Sequence, residues 1–509
     1  MRNYCLKIYL VVILLCVFVT IGFAQAPDTL WTRTYGGLKL EEAYSVLETS
    51  DGGFILVGYT TSFGEGGADV YLIKTDSNGN VLWTHTYGGR YSDYGRCIKK
   101  ALSGGGYIIA GHTTSFGAGR HDVYLLRIDD NGDTLWTRTY GGPDWDIAYS
   151  VEPTPDSGFI VTGKTYSFGA GMFDVYIIKT DADGNAIWTR TCGGTGDDIG
   201  YDVQIDPYGY PGYVIVGSRY WLETQTSNIY LIKTNFEGDT LWTKTYGGTC
   251  AEGHSLIITP GGEYYDHYII TGTVVSPFPS FYQSKIFILK VDSPDGNPWW
   301  FKTYGEELEE YNSSEGFSIY KTPQNEYVVT GWTYGVDSSF NAYEGVYVFK
   351  TSQSGDLLWK EIIEGPGINF GYDIQQTSDD GYIIVGRAES YPRATDIYLI
   401  KLASEFGVTE ATEYNAPQFS ISIFPNPFGD KVNITLSSVH GAKGKELKIY
   451  DISGRVVKNF SLPTTYSLLP TSIMWDGCDN AGKKLPSGTY LLKFSADNYE
   501  EIKKLVLLR

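Results

Sequence analysis

The residues most able to do chemistry are acids that recur at a fixed place. Four residues past the second glycine of a repeated TYGG-type motif stand Glu41, Asp93, Asp146, Asp198 and Glu252. Glu315 takes the corresponding place in a degenerate sixth copy, and Asn369 in a seventh. Six carboxylates around one channel mouth would offer hard oxygen ligands to a cation such as Ca²⁺. The stronger expectation is that each acid accepts hydrogen bonds from its own turn and fixes the loop. A second series, Asp69, Asp122, Asp174 and Asp396, drifts to other residues in the remaining copies and reads as turn chemistry.

Signals for catalysis are thin. There is no nucleophile elbow and no phosphate loop. No histidine recurs at one place in two copies, and His112 reads as surface variation. Glycoside hydrolysis needs two carboxylates at a defined separation, and acidic pairs are too abundant here for any one to be informative. Breaks in the repeat are better candidates for specificity. Trp221, then Phe278, Phe281 and Tyr282, then Tyr334 interrupt three successive copies beside carboxylates, a composition suited to stacking on sugar rings.

The elements that carry these residues follow from the repeat itself. Tryptophans at 31, 83, 136, 188, 242, 300 and 359 recur every 52 to 59 residues, and a DVYLIK-like run recurs seven times. The first full unit reads as strands over 43–49, 54–60, 69–75 and 80–87, with Asn78-Gly79 as a hairpin turn. No segment has a helical period. Four antiparallel strands repeated at this interval predict a propeller blade. The first tryptophan strand lacks a partner before it and the last DVYLIK strand lacks one after it. Each can complete the other, which predicts a closed ring of seven. Two sets of loops then share one face, where length and composition vary, and binding is expected there.

Composition bounds the rest. The 509 residues are 42% hydrophobic and carry a net charge of −20, which gives no basis for gripping nucleic acid or an anionic membrane. Six histidines and scattered cysteines make a haem or zinc enzyme unexpected. Residues 1–24 read as a signal peptide: Arg2 and Lys7, an apolar run from Ile8, then small residues at 22–24. The propeller is expected over 25–403, a linker over 404–417, and a small immunoglobulin-like β-sandwich over 418–509. The whole is therefore expected to be all-β.

The middle resembles the tandem propeller repeats of exported bacterial proteins, on its TYGG, DGG, SFGAG and DVYLIK motifs. That resemblance implies a fold and little about activity. The last domain resembles the type A C-terminal sorting domain of the type IX secretion system. The residues that carry the likeness are Pro425, Asn426 and Pro427, Gly454 and Arg455, Trp475, Asp476 and Gly477, and Gly488 with Tyr490. The resemblance implies type IX secretion machinery as a partner and a secreted or surface-attached product. The expected function is non-catalytic binding or adhesion, by a monomer, to a glycan or protein through the variable loop face. The alternative is a polysaccharide hydrolase or lyase at the channel mouth.

Overall fold

The computed structural model describes residues 26–207, 211–248, 250–260, 266–277, 282–305, 312–336, 342–365, 367–390, 394–405, 420–424, 431–437, 446–451, 454–460, 471–496 and 499–507. The segment read as a signal peptide and most of the expected linker lie outside them. The chain divides into two units, 1–407 and 408–509.

The first unit is seven four-stranded antiparallel sheets. Blade 1 comprises Glu41–Glu48, Phe54–Thr60, Asp69–Thr75 and Val81–Tyr87, running from the innermost strand outward. Blades 2 to 6 repeat this order. Blade 7 takes its outer strand from the other end of the chain: Thr29–Tyr35 pairs with Ala394–Leu402, with Tyr35 opposite Ile397 and Trp31 opposite Lys401.

Alternation along the strands explains the core. In the DVYLIK strand of blade 1, Val70 and Leu72 pack towards blade 2, whereas Tyr71 and Ile73 pack towards blade 7. Each interface between neighbouring blades therefore holds its own apolar cluster. The lysine that ends the motif is buried yet paired. Lys74 reaches Asp51 in the turn after the innermost strand at 2.9 Å, and Lys179 reaches Asp156 at 2.8 Å.

The innermost strands share one irregularity that shapes the channel. A β-bulge falls between Ala43 and Ser45, and at the matching place in all six other blades. Two residues then oppose one, so consecutive side chains turn to the same side. Tyr44 and Ser45 both line the channel. The residue before the bulge is Ala or Gly throughout, because a larger one would meet the preceding blade: a Cβ on Gly95 would come within 2.7 Å of Val57.

The second unit is a β-sandwich. A three-stranded sheet of Ser420–Phe424, Val432–Ser437 and Thr471–Trp475 faces a four-stranded one. The latter comprises Val456–Phe460, Glu446–Asp451, Gly488–Ala496 and Tyr499–Leu507. Their shared core includes Val432, Ile434, Trp475, Leu447, Leu492 and Leu505.

Candidate functional site

Strand register divides the six expected metal-ring acids into two sets. Glu41, Asp93, Asp146 and Asp198 occupy one position, opposite Thr60, Thr113, Thr165 and Arg219. They are fully buried and turned into their own loops. Glu41 accepts from Gly37 N at 2.7 Å, Ser62 N at 3.0 Å and the Thr60 hydroxyl at 2.8 Å. Asp93 accepts from Gly89 N and the Ser115 hydroxyl, and Asp146 from Gly142 N and the Ser167 hydroxyl. The first three carboxylates thus tie the TYGG loop to the SFG loop, whereas Asp198 accepts from Gly194 N and lies 3.7 Å from Arg219 Nε.

Glu252 and Glu315 do not belong to this set. They lie one residue further along, in register with Glu42, because the residue before each bulge, Gly253 or Gly316, matches Ala43. The loop after Gly248 is one residue shorter, so a fixed count from the glycine oversteps. The buried position is filled by Ala251 and Ser314 instead. Among the described residues no three His, Cys, Asp or Glu side chains converge as a metal would require.

The channel is built from the bulge. The first bulge residue of the seven blades is Tyr44, Arg96, Tyr149, Tyr201, His254, Phe317 and Tyr372. These line a cavity of about 320 Å³, together with the next residue of each blade, among them Asp202 and Asp373. Fixed counting did not find this ring, since its residue types vary. The signal that could have found it is the small residue just before it.

Two parts of the ring carry charge. His254 Nδ1–H donates to Gly316 O at 2.7 Å, and its Nε2 lies 3.5 Å from a Glu252 carboxylate oxygen. Burial works against its charge, but the Glu252 carboxylate and the Gly316 carbonyl prevail and raise its pKa. The same His254 contact holds Glu252 below the usual carboxylate range. Glu315, on the next blade, is pushed up by burial, against the pull of His254. Arg96 lies across the ring of Tyr44, 4.2 Å from its centroid. His112, expected on the surface, is buried and stacks on Tyr94 at 4.6 Å.

The loop face carries half-exposed apolar rings. Phe63, Phe116 and Phe168 come from the SFG loops, and Tyr91 and Trp145 from the TYGG loops. Trp221 is exposed at the end of its strand, with Arg219 beneath it at 4.4 Å. Tyr334 is half-buried within a strand, opposite Glu344. Tyr282 opens a strand opposite Pro277, and Phe278 and Phe281 lie outside the described residues. No described contact joins Trp221 to Tyr334.

In the C-terminal unit, Trp475 is fully buried; its Nε1–H donates to Cys478 O at 2.9 Å, and its ring meets Tyr490 edge-on at 5.6 Å. The Tyr490 hydroxyl donates to Pro486 O at 2.8 Å. Asp476 accepts from Cys478 N, and Gly477 and Gly454 adopt positive φ at the two turns. Arg455 pairs with Asp451 at 3.0 Å, and Gly488 begins the strand that carries Tyr490. Pro425, Asn426 and Pro427 lie outside the described residues.

No curated protein matches the chain. Among solved structures, PorZ, a surface component of the type-IX secretion system of Porphyromonas gingivalis, is 14% identical with a TM-score of 0.42. That match covers 93% of this chain and 60% of PorZ, so the chain spans less than two thirds of that protein. The propeller domain of the Trilobed protease from Pyrococcus furiosus is 11% identical, with a TM-score of 0.38 over 74% of this chain and 98% of that one. Sqt1 of Chaetomium thermophilum is 12% identical, with a TM-score of 0.40 over 74% and 98%. Residues 422–508 match the model of the secretion system C-terminal sorting domain, and the chain is accordingly a type IX export substrate bound for the cell surface or the medium.

Proposed function

We propose that the exported propeller is a non-catalytic binding protein that holds a glycan on its loop face, after residues 1–24 have served as its signal peptide. The carrying observation is the one-sided display of half-exposed rings, Phe63, Tyr91, Phe116, Trp145, Phe168 and Trp221, on loops fixed by buried carboxylates. Flat rings on a rigid scaffold suit the apolar faces of sugars, and they lose little conformational entropy on binding. The experiment is a glycan array probed with the full chain, its Trp145→Ala variant and its Trp221→Ala variant. Specific binding that falls in both variants is expected. Binding that persists in both would move the site off this face, and a blank array would favour a protein ligand.

A second reading has one specific observation in its favour. Glu252 and Glu315 hold matching register on neighbouring blades, with His254 bridging Glu252 and the Gly316 carbonyl. That contact lowers the Glu252 pKa while burial raises that of Glu315, the kind of split that separates acid from base in glycoside hydrolysis. Polysaccharide turnover abolished by Glu315→Gln would establish it. The absence of turnover across acidic and neutral polysaccharides would remove it.

A further inference from the structure

We propose that the central channel is a second binding site, for a small polyhydroxylated carboxylate the size of a uronic acid, whose carboxylate is clasped by Arg96. The site is separate from the loop face and does not depend on the reading of that face.

Arg96 is the one guanidinium among the seven first-bulge residues. Among the described residues no carboxylate lies within ion-pair distance of it, and its Nε is buried without a hydrogen-bond partner. The carboxylate whose charge reaches it is Glu42, which is already engaged. Glu42 takes Arg387 at 2.7 Å on one oxygen and the Tyr44 hydroxyl at 2.8 Å on the other. The aromatic neighbours of Arg96 hold its plane without neutralising it: Tyr44 lies against it at 4.2 Å and Tyr94 at 5.9 Å. A charge taken from water without a counter-charge is costly. A planar guanidinium so held presents a fork that matches a carboxylate in two parallel hydrogen bonds.

The remainder of the cavity selects hydroxyl groups. Asp202 accepts from Leu256 N at 2.9 Å and the Ser150 hydroxyl at 2.9 Å, and Asp373 accepts from Val46 N at 3.0 Å. These bonds fix both carboxylates in orientation, as acceptors for ligand hydroxyls. Lys99 also lines the cavity, but it is paired with Glu152 and its charge is felt by Asp202 and Asp373, which leaves Arg96 as the lining cation with no carboxylate partner among the described residues. Tyr149 and Tyr201, whose rings lie 5.2 Å apart, add faces and hydroxyls. The volume of about 320 Å³ sits at the small end of ligand pockets, enough for a monosaccharide or the terminal residue of a chain.

The test is calorimetric titration of the full chain with D-glucuronate, D-glucose, acetate and a galacturonate oligomer. Glucuronate is expected to bind once per chain, with glucose and acetate at least about tenfold weaker. Binding of the oligomer as well would assign the site to chain ends, and binding of the monomer alone to a free sugar acid. Arg96→Gln should cost at least about tenfold in affinity, and Arg96→Lys, which keeps charge but loses the fork, should fall between. Trp221→Ala should bind as the parent does. A variant that fails to fold would show in its thermal unfolding midpoint, and the lysine variant then carries the test. No saturable heat from glucuronate up to about 10 mM would overturn the proposal. Equal affinity for acetate, or unchanged binding in a folded Arg96→Lys variant, would overturn it too.

Discussion

The Asp373 carboxylate of the last blade accepts a 3.0 Å hydrogen bond from the backbone N of Val46 in the first. Its counterpart Asp202 accepts a 2.9 Å bond from Leu256 N, likewise one blade on. Both are second-bulge residues, so the irregularity that opens the channel also ties neighbouring innermost strands together. At Asp373 that tie closes the ring, beside the pairing of Thr29–Tyr35 with the last blade. Asp373→Ala should therefore lower stability by about 1–3 kcal/mol, because it leaves the Val46 N–H without its acceptor. Asp373→Asn, which keeps an acceptor oxygen, should cost less. Urea unfolding checks both, and equal midpoints for the alanine variant and the parent would refute the tie.

The tyrosines of the TYGG motif latch blades at their outer edge. Tyr35 donates to Gly79 O at 2.7 Å, Tyr87 to Gly132 O at 2.6 Å, and Tyr304 to Gly355 O at 2.8 Å, in each case in the hairpin of the next blade. Those glycines have positive φ and lie under the tryptophan of the preceding outer strand. Cys192 stands where the fourth copy should have its tyrosine, and its Sγ reaches Thr240 Oγ1 at 3.6 Å. Trp188 still covers Gly238, which keeps φ at 81°. Cys192→Tyr should restore the latch to the Gly238 carbonyl and add about 0.5–1.5 kcal/mol. A urea midpoint that does not rise would mean that the neighbouring loop has repacked around the smaller side chain.

What the sequence made legible follows from what repeats. Trp31 and its next five successors recur because each must cover the hairpin glycine of the following blade. Trp359 packs instead on blade 7, whose outer strand comes from the other chain end, so spacing gives seven blades and the closing strand. The sandwich was legible through turn residues such as Gly454 and Gly477, which need positive φ. The Arg96 ring was not legible, because channel-lining side chains need not match one another, and a bulge breaks the alternation by which a strand is read. Glu252 and Glu315 fall outside the buried series for a related reason. Counting from the glycines assumes constant loop length, whereas register is set by the small residue at the bulge.

Asp198 should titrate far from a usual aspartate. Burial raises its carboxyl to about 6, partly offset by the Gly194 N–H and by Arg219, whose Nε lies 3.7 Å away. In the unfolded chain the same group releases its proton near 3.8. Between about pH 4 and 6 the folded state holds a proton that the unfolded state has lost, so stability should fall as pH rises through that window and level off above it. Carbon-13 NMR of the side-chain carboxyl should give a midpoint near 6. Asp198→Asn should remove this part of the pH dependence of unfolding, and a midpoint below 5 would contradict the assignment.

Export should depend on one tryptophan of the sorting domain. Trp475 is enclosed by residues from both sheets of the sandwich and anchored by its hydrogen bond to Cys478 O. The sandwich has its own core, distinct from the clusters between blades. Trp475→Ala removes the largest side chain of that core, at a cost of about 3–5 kcal/mol. Domains of this size have only about 5–15 kcal/mol in hand, so much of the sorting domain's stability would go while the propeller keeps its own. The variant should therefore accumulate in the periplasm, with little at the surface or in the medium, as fractionation would reveal. Trp475→Phe, which keeps most of the buried area but loses the indole N–H, should be exported at an intermediate level. Normal surface levels of the alanine variant would mean that the export machinery reads a short segment such as 504–508 rather than the folded sandwich.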